Sequence, residues 1–299
     1  MTRHTTPKRT TNFNVRYFFR NLNDQIRTDR RTFILYTILR ALVMITLVRS
    51  IMIGSIESAA LCVFSLVLFL LPALAETQLR IEIPPLFEGM IYLFIFAAEI
   101  LGEVNHYYVL IPGWDSMLHT INGFLCAAVG FSLVDLLNRH SPGLKLSPLY
   151  LALVAFCFSM TIGVLWEFVE FAVDQTLLLD MQKDFVIQAF GSVMLDPTQS
   201  PHSVLASGIV RTTIECADGQ SFVINGGYLD IGLIDTMKDL FVNFVGAAVC
   251  STAGFLYTSG RAKGTLVRGF LIHRPGDTSL ATISHDEREE AHPLEPHAR

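Results

Sequence analysis

Trp114-Asp115-Ser116-Met117-Leu118-His119-Thr120-Ile121-Asn122 opens an apolar run that continues to Leu137. It sets an acid, an imidazole and an amide at helical spacing. At 100° per residue, Asp115, His119 and Asn122 share one helix face, with Met117, Leu118, Ile121 and Phe124 around it. The run is long enough to cross a hydrocarbon core of roughly 30 Å, and lipid offers such a polar stripe no partner. The stretch therefore predicts a membrane helix whose polar face meets other parts of the protein.

The rest of the chain agrees. Apolar residues make up 51% of the 299 positions and charged residues 16%, with a mean hydropathy of +0.45, too apolar for an ordinary soluble domain. The net charge of -5 matters less than its distribution, because basic residues gather at the ends and acids in the middle. No basic patch with interleaved aromatics points to nucleic acid. Cys62, Cys126, Cys157 and Cys250 lie inside apolar runs and only Cys216 in a polar connection, so no disulfide framework is expected.

Residues 1–32 read as a basic cytoplasmic arm: Arg3, Lys8, Arg9, Arg16, Arg20, Arg27, Arg30 and Arg31 stand against Asp24 and Asp29. The first apolar run contains Arg40 and ends at Arg49 without a small-residue cleavage site, so no signal peptide is expected there. A six-helix membrane domain over 33–258 follows, with runs near 33–53, 56–75, 88–111, 115–137, 148–173 and 235–258. The turn at 138–147 carries Arg139, His140 and Lys145, and the segment after the last run carries Arg261, Lys263, Arg268 and Arg274. Both are expected to be cytoplasmic.

The connection 175–234 holds Lys183 and Arg211 against Asp180, Asp184, Asp196, Glu215, Asp218 and Asp230, which suits the outside. Within it, β-prone stretches flank Ala217-Asp218-Gly219-Gln220 and predict a hairpin at about 209–224. The region 259–299 reads as a cytoplasmic tail, mostly disordered after 275. The fold expected is thus an all-α polytopic membrane protein, six transmembrane helices with a small extracytoplasmic β-hairpin insertion, in a bacterial inner membrane with both termini cytoplasmic.

Four runs carry polar stripes. The third has Glu99, Glu103 and His106; the fourth has Asp115, His119 and Asn122. The fifth ends with Glu167, Glu170 and Asp174, and the sixth begins with Asp235, Lys238, Asp239 and Asn243. Antiparallel threading puts all four at one level, in the outer half, as if lining a shared cavity. A charge near the bilayer centre costs at least about 2.5–3.5 kcal/mol, so these acids must be hydrated, protonated or bound to cations. Asp115, His119, Glu167, Glu170, Asp235 and Asp239 are suitable ligands for a divalent metal; proton sharing is the rival account.

Other polar residues have plainer roles. Glu99 and Asp174 could pair with Arg40 or loop groups, Trp114 and Trp166 suit interfacial anchoring, and Asp135, Asn138 and Arg139 suit helix-end pairing. Gly123, Ala127 and Gly130 on the fourth helix, and Gly246, Cys250 and Gly254 on the sixth, form small faces that permit close packing.

Glu99 to Asn138, Thr161 to Asp174 and Gly227 to Ala247 together resemble the bacterial membrane protein family typified by YjdF. A more distant similarity is to VanZ-like membrane domains, which pair an Asp and a His one turn apart, then an acid, then Asp-x-x-x-Asn-x-x-Gly. The matching positions here are Asp115 and His119, Glu167 with Glu170, and Asp239, Asn243 and Gly246. Ser116 departs from the Lys frequent after the first Asp. The nearer family brings no established activity, and the farther one hints at the cell envelope.

Three functions fit. The first is a metal-dependent enzyme on a lipid-linked or envelope substrate, with Asp115, His119, Glu167, Glu170 and Asp239 as ligands or acid and base. Lys238, Asn243, Asn122 and Glu103 would then bind the substrate. No Ser or Cys nucleophile sits beside His119. The second is a proton- or cation-coupled transporter, although no inverted repeat appears. The third is a nonenzymatic membrane partner protein docking through the hairpin.

Overall fold

The computed structural model describes residues 30–141, 143, 145–198, 200–261 and 265–274. The basic arm up to residue 29, Lys263 and the tail from 275 lie outside them. Among the described residues six helices are long and apolar enough to cross a membrane, which makes the chain a polytopic helical membrane protein.

Local chemistry sets the helix ends. Helix α1 (Arg30–Ile53) stops at Gly54, whose φ of 81° suits glycine alone. Ser55 then caps α2 (Ile56–Leu68) by accepting from Ser58 N. The second span breaks before α3 (Leu71–Leu79), where Pro72 lacks the N–H a continuous helix would use. The third span starts as α4 (Pro85–Ile95) and continues as a π-helix (Phe96–Val104).

That span differs from expectation. It ends at Val104 instead of running to 111, and His106 sits in the left-handed region at φ 58° before the short α5 (Tyr107–Leu110). Asn105 closes the π-turn by donating to the Ile100 carbonyl from both backbone (3.0 Å) and side chain (2.6 Å). Glu99, Glu103 and His106 therefore do not form one α-helical face.

Helices α6 (Trp114–His140), α7 (Pro148–Leu177) and α8 (Leu233–Thr258) pack mutually, while α1, α2 and α4 form a second group. Tyr36, Phe69 and Tyr92 pack in tilted and edge-on pairs at the centre of that second group, with ring centroids 4.9–6.1 Å apart. Glycine allows the close approach of α6 to α8. A Cβ at Gly123 would lie 2.2 Å from the Asn243 carbonyl oxygen, and one at Gly246 would lie 2.0 Å from that of Thr120.

Between α7 and α8 the chain forms three antiparallel strand pairs. The expected hairpin is β4 (Arg211–Glu215) with β5 (Ser221–Asn225). Two further pairs join β2 (Ala189–Ser192) to β3 (Val204–Ser207), and β1 (Phe185–Ile187) to β6 (Tyr228–Asp230). The latter ties together the two ends of the connection.

After α9 (Thr265–Arg268) the chain folds back under the bundle, where Leu271 and Ile272 are buried. Ile272 N donates to Ser132 Oγ (3.1 Å), and His273 pairs with Glu82 through backbone bonds and a 3.1 Å side-chain contact.

Candidate metal centre

Three helices converge on His119. Helix α6 supplies Asp115 and His119, α7 supplies Glu167 and Glu170, and α8 supplies Asp235 and Asp239. His119 Nε2 lies 3.5 Å from Asp115 Oδ1 and 4.0 Å from Asp239 Oδ2, and Nδ1 lies 3.9 Å from Glu167 Oε1. All but Asp115 are buried; Asp239 is 1% exposed.

These separations are too long for ordinary hydrogen bonds of about 2.7–3.2 Å. Both oxygens of Asp239 and Oε1 of Glu167 are buried with no hydrogen-bond partner among the described residues. Two groups have ligand atoms within 4.8 Å of one another: Asp115, His119 and Asp239, and His119, Glu167 and Glu170. Ligands held about 2.0–2.1 Å from one tetrahedral metal stand roughly 3.3 Å apart. The first group, at 3.5 and 4.0 Å around Nε2, fits a cation after small side-chain movements. Glu167 would then face the other ring nitrogen, where a carboxylate orients a metal-bound histidine.

No cation of the protein reaches the centre of this cluster among the described residues. Lys238 Nζ turns to Asp235 Oδ1 (3.3 Å) and lies 5.8 Å over the Phe185 ring. Arg40 belongs to the other helix group, donating to Tyr36 OH at 3.0 Å. Glu103 is exposed on the π-helix and falls in neither ligand group, as does Glu99.

The floor of the site is amide. Asn122 Nδ2 donates to Asn243 Oδ1 (3.4 Å), Asn243 Nδ2 contacts Met160 Sδ (3.7 Å), and Cys126 Sγ contacts Asn122 Oδ1 (3.5 Å). Gly163 leaves room for the Asn243 amide, since a Cβ there would lie 2.6 Å from Nδ2.

The roof is the segment Met181–Lys183. Backbone N–H groups of Met181 and Gln182 donate to Asp174 (2.7 and 2.8 Å), and that of Lys183 to Asp235 Oδ2 (2.9 Å). The Gln182 amide donates to Thr236 Oγ1 (2.7 Å) and Glu167 Oε2 (3.4 Å). Asp174 is thus a roof anchor. Trp166, read as an interfacial anchor, donates its indole N–H to Glu170 Oε1 at 2.7 Å. Gln182 and Thr236 escaped sequence reasoning because a loop amide and a hydroxyl carry no periodic signal. Trp166 lies four residues before Glu170, and that helical spacing was the available clue.

A buried carboxylate–histidine cluster inside a bundle of membrane-crossing helices defines the class of protein. Residues 34–260 match the family described as "Predicted membrane protein (DUF2238)", and the chain belongs to that family. It is the YjdF-like family that the motifs resemble; nothing supports the more distant VanZ similarity. No curated protein and no solved structure matches the chain.

Proposed function

We propose that Asp115, His119 and Asp239 hold a divalent cation, and that the centre works on a lipid-linked or cell-envelope substrate by metal-assisted hydrolysis or head-group transfer. The observation that carries this is Asp239: both oxygens are buried without a hydrogen-bond donor among the described residues, and Oδ2 lies 4.0 Å from His119 Nε2. Leaving such groups unsatisfied costs about 1–3 kcal/mol or more, and a cation removes that cost.

A bound cation would polarise a substrate oxygen or acidify a water. Glu167 would orient His119, and Glu170, held by Trp166, would carry a proton to or from the reacting group. Lys238, partly exposed at the rim, would meet an anionic head group, with Glu103 at the mouth and Asn122 and Asn243 orienting the ligand from below. In this arrangement the chain sits in a bacterial inner membrane with both termini cytoplasmic and 175–234 outside. The charge distribution of the connections supports that orientation.

The test is metal content of detergent-purified protein by elemental mass spectrometry, wild type against the His119→Ala, Asp239→Ala double variant after identical washing. Near-stoichiometric metal in the wild type, lost in the variant, is expected. A folded wild type that stays metal-free after reloading overturns the cation centre and favours proton-coupled transport by the same acids.

A further inference from the structure

We infer that the centre is reached sideways from the bilayer, past Trp166, so that its ligand is a membrane-resident amphiphile with an anionic-oxygen head rather than a water-soluble solute. The inference rests on the proposed cation centre being the working site.

The roof is heavily tied. Three consecutive residues make five hydrogen bonds to Asp174, Glu167, Thr236 and Asp235. Gly232 presses against this segment so closely that a Cβ there would lie 2.7 Å from Gln182 Cβ. The β1–β6 pairing fastens the chain immediately beyond it. Opening the roof to water requires breaking these contacts together.

The side wall is different. Along α7, Gly163, Glu167 and Glu170 are buried, while Leu165, Trp166, Phe168 and Val169 are exposed on the face a membrane helix gives to lipid. Trp166, 45% exposed, straddles the two faces, because its ring is open on the outer side of α7 while its N–H holds the buried Glu170. Glu170 in turn lies within ligand distance of His119 and Glu167. Contacts therefore link exposed Trp166 to Glu170 by one hydrogen bond, and Glu170 to His119 across less than 4.8 Å. A rotamer change of Trp166 opens this side while leaving the helix backbones in place. An amphiphile entering here keeps its chain in lipid, and its anionic head would meet the cation that Asp239 awaits. Lys238 supplies further positive charge at the rim.

Carbodiimides test the route. A carboxyl group adds across the reagent's N=C=N unit, its oxygen bonding to carbon and its proton passing to nitrogen, with no leaving group. The full chain in lipid nanodiscs would be treated with lipid-soluble dicyclohexylcarbodiimide or with a charged, water-soluble carbodiimide, and adducts mapped by peptide mass spectrometry. Expected is labelling of Glu170 by the lipid-soluble reagent alone, rising severalfold in Trp166→Phe and unchanged in Gln182→Ala. Glu170 labelling by the water-soluble reagent, rising in Gln182→Ala and not in Trp166→Phe, overturns the lateral route. So does an unlabelled Glu170 when exposed Glu103 reacts. The readout needs no metal, so failure of the cation centre would show in metal content and leave this result readable.

Discussion

Asp239→Asn should change stability in opposite directions depending on the cation. Without metal, wild type keeps a carboxylate 1% exposed whose two oxygens have no partner. A neutral amide of the same shape removes the charge and brings an N–H donor toward the neighbouring Asp115 carboxylate, so it should stabilise the metal-free protein by about 1.5–3 kcal/mol, the worth of a hydrogen bond to a charged group. With cation at 100 times its Kd, wild type gains about 2.7 kcal/mol by mass action, and the variant, lacking a ligand, gains little. The melting order therefore inverts: variant above wild type in chelator, wild type level with it or above it in saturating Mn, Mg or Zn. Thermal unfolding in detergent, followed by tryptophan fluorescence across a cation titration, measures this. A variant melting below wild type in chelator, or equal cation-induced shifts in both proteins, would refute the reasoning.

Other expectations follow from packing and titration. Gly163→Ala places a Cβ 2.6 Å from Asn243 Nδ2 where ordinary contact begins at 3.4 Å, so about 0.8 Å must be yielded by a buried amide. It should cost about 1–3 kcal/mol and weaken metal retention, whereas Gly113→Ala, with φ 80° and open space, should cost only the backbone strain of about 1–2 kcal/mol. Ile272→Asp buries a charge beside Ser132, far from the cluster, and should lower the melting temperature severely while retained metal per folded molecule stays unchanged. The Asp196 carboxyl is held down at about 2 by the Ser200 hydroxyl and by the Thr198 backbone and hydroxyl. A depressed folded value stabilises the turn above the unfolded value of about 3.9 and loses that effect as pH falls toward 2. Acid-protease nicking near Asp196 should therefore accelerate between pH 4 and 2, and Asp196→Asn should flatten that dependence.

The spans and the cluster were legible because lipid enforces two simple rules. Length marks a crossing, and an acid at helical spacing inside a crossing must face protein. Asp115 with His119, Glu167 with Glu170, and Asp235 with Asp239 obey the second rule; the structure brings Asp115, His119, Glu167, Glu170 and Asp239 to one place, while Asp235 falls in neither ligand group and is held by Lys238 and the Lys183 N–H. Glu103 has the same spacing but is exposed and stays outside the cluster, because the π-turn closed by Asn105 changes the face and no residue pattern announced that turn. The β1–β6 pair was hidden by distance, since its strands are three residues each and some forty apart. Phe270-Leu271-Ile272 did carry a signal, a short apolar run in a basic segment. Its docking depends on Ser132 of another element, which periodicity does not reveal.

The two helix groups explain why such a cluster can persist. The α1, α2 and α4 group buries Phe69, Tyr92 and Ile95 against one another, an apolar core that holds without help. In the α6, α7 and α8 group, backbones meet at Gly123 and Gly246, and Asn243 is confined between Gly123 and Gly163. Directly above that contact the same helices bring carboxylates together around His119, and among the described residues no lysine or arginine pairs with Asp239 or Glu167. Close packing fixes the spacing at the floor, and the roof bonds of Gln182 fix it at the top. The acids between are thus kept near one another against their repulsion, by contacts on either side. That is the preorganisation a cation site needs: the cost of assembling like charges falls on folding, and a bound cation recovers it as affinity.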